Sequence, residues 1–134
     1  MGSPSPEQTA ALFFERFNSG DAAGFAKLYA EDAVFTYNGQ DVAVGPEQIE
    51  RAVAGFMLGG FKMRGRNVGV FVMGDTALTR FAWEMFDGNG ATVANGVSAE
   101  VQRLGPDGLW RFIIDDAGGG SRAALRRLFP YFMR

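Results

Sequence analysis

The spacing of apolar residues changes near residue 60, from a helical period before it to a strand period after it. A first helix is predicted over residues 6–17, because Ala10, Phe13, Phe14 and Phe17 recur at the spacing of one helix face. The early part of the chain therefore predicts helices with one buried aromatic face.

A short second helix is predicted over residues 21–29, followed by a strand over 33–37. Gly20 tolerates the left-handed backbone conformation that ends a helix, and Asp21 can accept hydrogen bonds from the first free amides of the next one. A third helix is predicted from residue 45 to the glycine pair that follows residue 58.

Beyond this glycine pair, apolar and polar residues alternate with a period of two, which is typical of strands with one buried face. The alternation places Val68, Val70 and Val72 on one face of a strand. Turn sequences delimit two later strands, predicted over residues 92–104 and 109–116. Helices followed by a meander of strands predict an α+β fold.

The composition narrows the chemistry that is available. The chain has 134 residues, 47% of them hydrophobic, which is enough for one domain with a real core. It contains no histidine and no cysteine, which excludes a Ser-His-Asp triad, a histidine base and thiolate chemistry. Thirteen phenylalanines predict an aromatic interior, either as plain core or as a pocket for an apolar ring-shaped ligand.

Charge and hydropathy exclude several classes of partner. The net charge of −2 argues against nucleic-acid binding, which needs a basic surface. No window approaches the roughly 20 apolar residues of a membrane span, and the opening MGSPSPEQ does not resemble a secretory signal. We therefore expect a cytoplasmic protein without a membrane partner.

Short motifs then point to a known fold. They are N-x-G-D at residues 18–21, F-x-x-L-Y-A at 25–30, E-D-A-V-F at 31–35 and G-P-D-G-L-W-R-F-I-I-D-D at 105–116. The sequence resembles the nuclear-transport-factor-2-like superfamily, which includes ketosteroid isomerases and SnoaL-like polyketide cyclases.

This resemblance covers about residues 5–117 and implies a cone-shaped, curved, mostly antiparallel sheet packed on three N-terminal helices. We expect one domain over residues 1–134, with a flexible glycine hinge at 118–120 and a basic amphipathic helical tail at 121–134. The resemblance also implies a homodimer formed through the convex sheet face, where the predicted valine face would need cover.

The resemblance to ketosteroid isomerases fails at two of three functional positions. Phe13 stands where those enzymes have an oxyanion-binding tyrosine, and Tyr37 stands where they have the aspartate base. Only Glu100 lies near the position of their late acid. Phenylalanine donates no hydrogen bond and a neutral tyrosine is a poor base, so the sequence argues against the steroid isomerase mechanism.

Three residues are candidates for catalysis. Alternation along the last strand, together with the acid that SnoaL-like cyclases use in this region, places Asp115 in the pocket, where burial would raise its pKa. The alternative is a half-exposed Asp115 at the strand end, paired with an arginine. Tyr37 can donate to a carbonyl oxygen or can be an ordinary core tyrosine. Glu100 shares a strand face with Ser98 and Gln102 that is typical of a solvated face unless a bulge intervenes.

The predicted pocket is apolar, and the predicted ligand is a small hydrophobic molecule. No cofactor and no metal site are predicted, because the neighbouring carboxylates of the last strand point to opposite faces. The ligand-pocket residues are Phe13, Phe17, Tyr29, Phe35, Phe56, Phe61, Phe81, Trp83, Met85 and Ile113.

Two functions remain open at this point. One is a cofactor-independent isomerase, cyclase or dehydratase that acts on a hydrophobic carbonyl compound, with Asp115 moving the proton and Tyr37 holding the oxygen. The other is a non-catalytic domain that binds an apolar ligand or mediates assembly. The first predicts that Asp115→Asn abolishes turnover, keeps ligand binding and does not reduce stability.

Overall fold

A computed structural model describes residues 1–120. Three helices in this part of the chain pack on one face of a curled, unclosed seven-stranded sheet. The predicted α+β fold with three N-terminal helices is confirmed. The predicted tail at 121–134 lies outside the described residues. The helices are α1 (Thr9–Asn18), α2 (Ala22–Ala26) and α3 (Gly45–Leu58).

The strands follow the order β2-β1-β7-β6-β4-β3, and β5 pairs with β4 beside this path. All described pairings are antiparallel except that of β1 with β7, so the sheet is mostly antiparallel as predicted. The strands are β1 (Tyr29–Thr36), β2 (Ala43–Val44), β3 (Lys62–Met73), β4 (Thr76–Phe86), β5 (Thr92–Val97), β6 (Ala99–Leu104) and β7 (Trp110–Asp116).

Local sequence signals set the element boundaries. Asp21 caps α2 by accepting a hydrogen bond from the Gly24 amide at 2.9 Å, as predicted. The second helix is nevertheless shorter than the predicted 21–29, because Tyr29 already pairs with Phe112 in the sheet. The single predicted strand over 92–104 is divided at Ser98, where the chain passes from β4's second half to its first half.

A bulge in β3 corrects the predicted valine face. The register of β3 with β4 shifts between Asn67 and Gly69, so that Val68 has no partner in the pairing. Val70 and Val72 consequently pair with inward-facing residues of β4, and the prediction that they form the outer face is wrong. The outer face of β3 carries Phe71 instead, opposite Leu78 of β4.

A second irregularity lies in β7 and decides the candidate site. Val101 pairs with Ile114, whereas the next residue, Gln102, pairs with Phe112. The extra residue between these pairs is Ile113, and it lets both Phe112 and Asp115 face inward. Simple alternation would have buried only one of those two.

The core lies between the helices and the inner sheet face. Phe13, Phe25, Phe81 and Phe112 are buried there, and Phe13 contacts the other three rings in tilted or edge-to-face arrangements with centroids 4.7–6.2 Å apart. Such contacts add to the free energy gained by burying apolar area. Within residues 1–120, no helix has the length and apolar character needed to cross a bilayer.

Candidate active site

A cavity of about 220 Å³ lies between the helices and the inner face of the sheet. Its walls are aromatic and aliphatic, and Asp115 of β7 is the one carboxyl group among the residues that line it. The lining comprises Phe13, Phe14, Phe17, Phe25, Phe35, Tyr37, Ala52, Val53, Phe56, Met63, Phe81, Trp83, Met85, Ala94, Ser98, Asp115 and Ala117.

The structure brings most of the predicted pocket residues together. Of the ten, only three lie outside the lining, and each has a structural reason. Tyr29 packs behind the wall with its ring 5.0 Å from that of Phe112, and Phe61 contacts Phe56 from outside with centroids 6.3 Å apart. Ile113 is displaced by the β7 bulge, so its predicted place in the pocket is wrong.

Asp115 occupies the predicted inward position and is 3% exposed. Its Oδ2 accepts a hydrogen bond of 2.5 Å from the hydroxyl of Tyr29. Burial raises the pKa of Asp115 to about 7, and this hydrogen bond opposes the rise because it favours the anion. The alternative of a half-exposed carboxylate paired with an arginine is therefore wrong.

Tyr29, predicted as a pocket residue, is instead the hydrogen-bond partner of Asp115, a role that was not predicted for it. Its phenol is fully buried, and desolvation together with the charge of Asp115 holds its pKa well above 10, so it stays a neutral donor. A signal was present, because a buried tyrosine hydroxyl needs an acceptor. The predicted partner, Tyr37, lines the cavity but is 50% exposed and follows the end of β1.

Glu100 overturns another expectation. The strand face that it shares with Ser98 and Gln102 was predicted to be solvated unless a bulge intervenes, yet all three side chains are buried and Glu100 is 1% exposed. The polar face of β6 can point inward because its side chains form hydrogen bonds with other buried polar side chains. Glu100 Oε1 accepts a hydrogen bond of 3.0 Å from the hydroxyl of Thr79, its partner on β4.

These groups form a directed chain of hydrogen bonds that begins at α1. The hydroxyl of Thr9 donates to Gln102 Oε1 at 2.7 Å, and Gln102 Nε2 donates to the hydroxyl oxygen of Thr79 at 3.1 Å. Thr79 in turn donates to Glu100. These three hydrogen bonds therefore run in one direction and end at Glu100 Oε1, while the buried Glu100 Oε2 has no partner within the described residues.

The electrostatics of Glu100 follow from this burial. Desolvation, followed by repulsion from Asp115, raises the pKa of Glu100 to about 9. Glu100 is paired directly with Asp115 across β6 and β7. Since two adjacent buried carboxylates resist double ionisation, the pair carries at most one negative charge near neutral pH, and Asp115 is the member with the lower pKa.

The site can supply a proton acceptor and donor in an apolar enclosure. Within residues 1–120, no cluster of three or more acidic residues is placed to hold a metal ion. The carboxyl group of Asp115 is the group through which this cavity could do chemistry, because it titrates near neutral pH and lines the cavity.

Family comparison agrees with this architecture. The profile of the SnoaL-like domain matches residues 10–113. The chain belongs to the SnoaL-like domain family. The match spans most of the chain, from α1 to β7, and includes Glu100 but ends two residues before Asp115.

Solved structures place this SnoaL-like protein in the wider superfamily. An NTF2-like protein with a cystatin-like fold from Novosphingobium aromaticivorans is 28% identical, with a TM-score of 0.69 over 88% of this chain and 82% of that one. No curated protein matches the sequence.

Two more distant structures carry functional names. A presumed dehydratase of the NTF2-like family from Streptomyces avermitilis is 23% identical (TM-score 0.66, 81% of this chain, 88% of that one). A ketosteroid isomerase-like protein from Erwinia carotovora atroseptica is 20% identical (TM-score 0.64, 82% and 90%). At these identities the likeness shows the fold alone.

Proposed function

We propose that this SnoaL-like protein binds a small apolar carbonyl compound and moves a proton on it with Asp115, as an isomerase, cyclase or dehydratase. The observation that carries the proposal is the placement of Asp115. It is a buried carboxyl with a pKa of about 7, and it lines a cavity that is otherwise almost entirely apolar. A structural carboxylate would normally be paired with a cation or exposed to water.

The cavity volume limits the ligand. An apolar cavity of about 150 Å³ binds benzene, so the 220 Å³ available here suits a substituted single ring or a small fused pair. A four-ring steroid would need further room. This agrees with the loss of the isomerase residues at Phe13 and Tyr37.

The proposed chemistry needs no cofactor. The Asp115 anion removes a proton from the carbon next to the carbonyl group. The electron pair of that C–H bond forms a double bond to the carbonyl carbon, and the π pair of the carbonyl group moves to its oxygen. Tyr37, which also lines the cavity, is the candidate donor to this oxygen. Asp115 then returns the proton to another carbon, giving an isomer, or to a departing hydroxyl group, giving water.

Glu100 has a different role in this proposal. It does not line the cavity, and its raised pKa keeps it protonated while Asp115 ionises. Its neutral form avoids a second buried charge beside the catalytic anion. Names among the structural neighbours, a presumed dehydratase and a ketosteroid isomerase-like protein, are compatible with proton transfer of this class.

The experiment begins with a thermal-shift screen of one- and two-ring ketones and hydroxyketones, because a ligand that binds the native state raises the melting temperature. With a compound that is also converted, Asp115→Asn is expected to retain affinity and to lose about 10²–10⁴-fold in turnover. Asp116→Asn is the matched control, since Asp116 follows Asp115 in β7 and does not line the cavity. Unchanged turnover in Asp115→Asn would rule out the catalytic role.

A second function, assembly, is favoured by a specific observation on the outer face. Phe71, Leu78, Val101, Ile114 and Val34 are consecutive cross-strand partners and form one apolar row. We propose that a second copy of the chain covers this outer row, which replaces the incorrectly predicted valine face. A large apolar patch of this kind is typical of protein interfaces.

Sedimentation tests the dimer without a ligand. The wild-type protein is expected to sediment as a dimer at micromolar concentration, and Ile114→Arg as a monomer. Ala11→Arg, at an exposed position of α1 on the helix side of the sheet, is the control and should remain a dimer. A monomeric wild type would contradict this part of the proposal and leave the cavity chemistry untouched.

A further inference from the structure

Two side chains of opposite charge border the apolar outer row on the same side. Arg80 of β4 follows Thr79, which pairs with Glu100, and Asp116 of β7 pairs with Ala99. Antiparallel pairing therefore places both charged residues level with Ala99 of β6, one on each side of that strand. Each follows a buried, inward-facing residue of its own strand, so alternation puts both on the outer face.

Arg80 has no acidic partner in its own subunit within residues 1–120. Its guanidinium turns away from Asp116 and lies over Gly69 of β3, with its central carbon 5.4 Å from the centroid of the Phe71 ring. The Nε atom is buried there and has no hydrogen-bond acceptor in this part of the chain. Because a buried donor without an acceptor costs free energy, an acceptor brought by a second molecule would stabilise the contact.

Asp116 has unused accepting capacity. Its Oδ1 accepts a hydrogen bond of 3.2 Å from the amide of Gly118, and no cation of residues 1–120 pairs with its carboxyl group. A carboxylate can accept about four hydrogen bonds, and an arginine can donate two of them side by side. Asp116 can therefore receive a guanidinium from outside its own subunit.

The opposite border of the outer row differs, because its charges are compensated within the subunit. Arg103 of β6 and Arg111 of β7 are cross-strand neighbours there. Arg103 lies 4.0 Å from a carboxylate oxygen of Asp32, and Arg111 lies 2.5 Å from one of Asp107. Next to the row, the uncompensated charges are thus one cation on β4 and one anion on β7.

The strand order relates these two charges by symmetry. Strand β6 lies between β4 and β7. When two copies face each other across a two-fold axis that runs along β6, β4 of one copy lies opposite β7 of the other. Arg80 then faces the partner's Asp116, and the symmetry forms the same pair a second time. An axis perpendicular to β6 would instead place β4 opposite β4 and would separate the two charges.

We infer that two copies of the chain pair their outer faces about a two-fold axis along β6, with Arg80 bound to the partner's Asp116 on both sides of this axis. The inference rests on the proposed assembly and adds which strands face each other. The apolar row supplies the buried area of the contact. The two ion pairs fix its orientation, because complementary charges select one arrangement among several that bury similar area.

Charge reversal tests this pairing in the full chain. In a homodimer of Arg80→Asp, or of Asp116→Arg, like charges face each other twice. Each variant is expected to raise the dimer dissociation constant about 100-fold in sedimentation at low ionic strength. An equimolar mixture of the two variants is expected to form a heterodimer, because both contacts then join opposite charges. The double variant Arg80→Asp/Asp116→Arg should dimerise as the wild type does.

A matched control separates the pairing from a general effect of charge. Arg51→Asp makes the same change at an exposed position of α3, on the helix side of the sheet, and should remain a dimer. Circular dichroism and melting temperatures confirm that each variant is folded. Where a reversal prevents folding, Arg80→Gln and Asp116→Asn take its place and should each raise the dissociation constant about tenfold.

The outcomes distinguish this inference from the proposed assembly. A wild-type dimer that Ile114→Arg dissociates, together with charge variants that stay dimeric, would overturn the pairing and leave the assembly intact. Single variants that are monomeric alone and remain monomeric when mixed would also overturn it. A monomeric wild type would contradict the assembly and the inference together.

Discussion

Two neighbouring rows of the same sheet have opposite character. The inner row runs through Thr79, Glu100 and Asp115 and is polar, although it is buried. The outer row is displaced from it by one residue on each strand. It runs through Leu78, Val101 and Ile114 and is apolar, although Leu78 and Ile114 are exposed. The usual arrangement of a one-sided antiparallel sheet is the reverse.

This reversed pattern, polar inside and apolar outside, has a different consequence on each face of the sheet. Burying polar groups costs free energy, which the hydrogen bonds from Tyr29 and Thr79 only partly offset at the two carboxyls. Such a cost is expected where a site needs titratable groups. Exposing apolar side chains costs less and indicates a surface that binds a partner. The inner row thus points to chemistry and the outer row to assembly.

The largest expected effect is the pH dependence of stability. Asp115 and Glu100 have folded pKa values of about 7 and about 9, both above their ordinary values near 4. Between the ordinary pKa near 4 and the raised folded values, the unfolded chain binds fewer protons than the native one. The free energy of unfolding therefore falls as pH rises from about 4 to 9. One pKa unit corresponds to about 1.4 kcal/mol, so the fall should amount to several kcal/mol.

Urea unfolding at pH 5, 7 and 9 measures this fall. Asp107, whose pKa is lowered to about 2 by Arg111, is ionised throughout the range and does not contribute. The double variant Asp115→Asn/Glu100→Gln should show a much flatter profile and higher stability at pH 9. An equally steep profile in that variant would show that the inner row is not responsible.

The next largest effect is the loss of stability expected when the Thr79 hydroxyl, which links side chains of the inner row, is removed. Thr79→Val removes the donor to Glu100 and the acceptor for Gln102, and leaves buried polar atoms without partners. We expect a destabilisation of about 2–3 kcal/mol by urea unfolding at pH 7. Thr76→Val, exposed on the same strand, should change stability by less than about 0.5 kcal/mol. Equal effects of the two substitutions would contradict the network.

The smallest expected change in stability distinguishes Tyr29 from Tyr37. Tyr29→Phe removes the hydrogen bond to Asp115 and should cost about 1–2 kcal/mol at pH 8, where Asp115 is an anion. The pKa of Asp115 should rise further, because that bond favours the charged form. Tyr37→Phe, which changes a half-exposed residue of the cavity lining, should leave stability and this pKa unchanged. The opposite ranking would return Tyr37 to the role first predicted for it.

Much of the fold and of the cavity wall could be predicted from the sequence. Helical periods, Asp21 as a cap and the motifs of residues 18–35 were sufficient for the fold and for most of the aromatic cavity wall. The inward position of Asp115 was predicted correctly, but only because the wrongly placed Ile113 and the unforeseen bulge compensate each other.

The failures share a physical cause. The face of Glu100 was expected to be solvated unless a bulge intervened, because a polar strand face is normally exposed, and nothing local shows that Thr79 and Gln102 lie beside it. The bulge at Val68 likewise depends on pairing between strands. Both are long-range properties of the sheet, which local patterns of hydrophobicity do not encode.

The most direct test of the central claim is the pKa of Asp115 itself. The carboxyl carbon is labelled with ¹³C in aspartate, assigned by comparison with Asp115→Asn, and titrated by NMR from pH 3 to 10. We expect an apparent pKa of about 7 for Asp115. A value near 4, the ordinary value of an exposed aspartate, would mean that the carboxyl is solvated and would contradict the proposed active site.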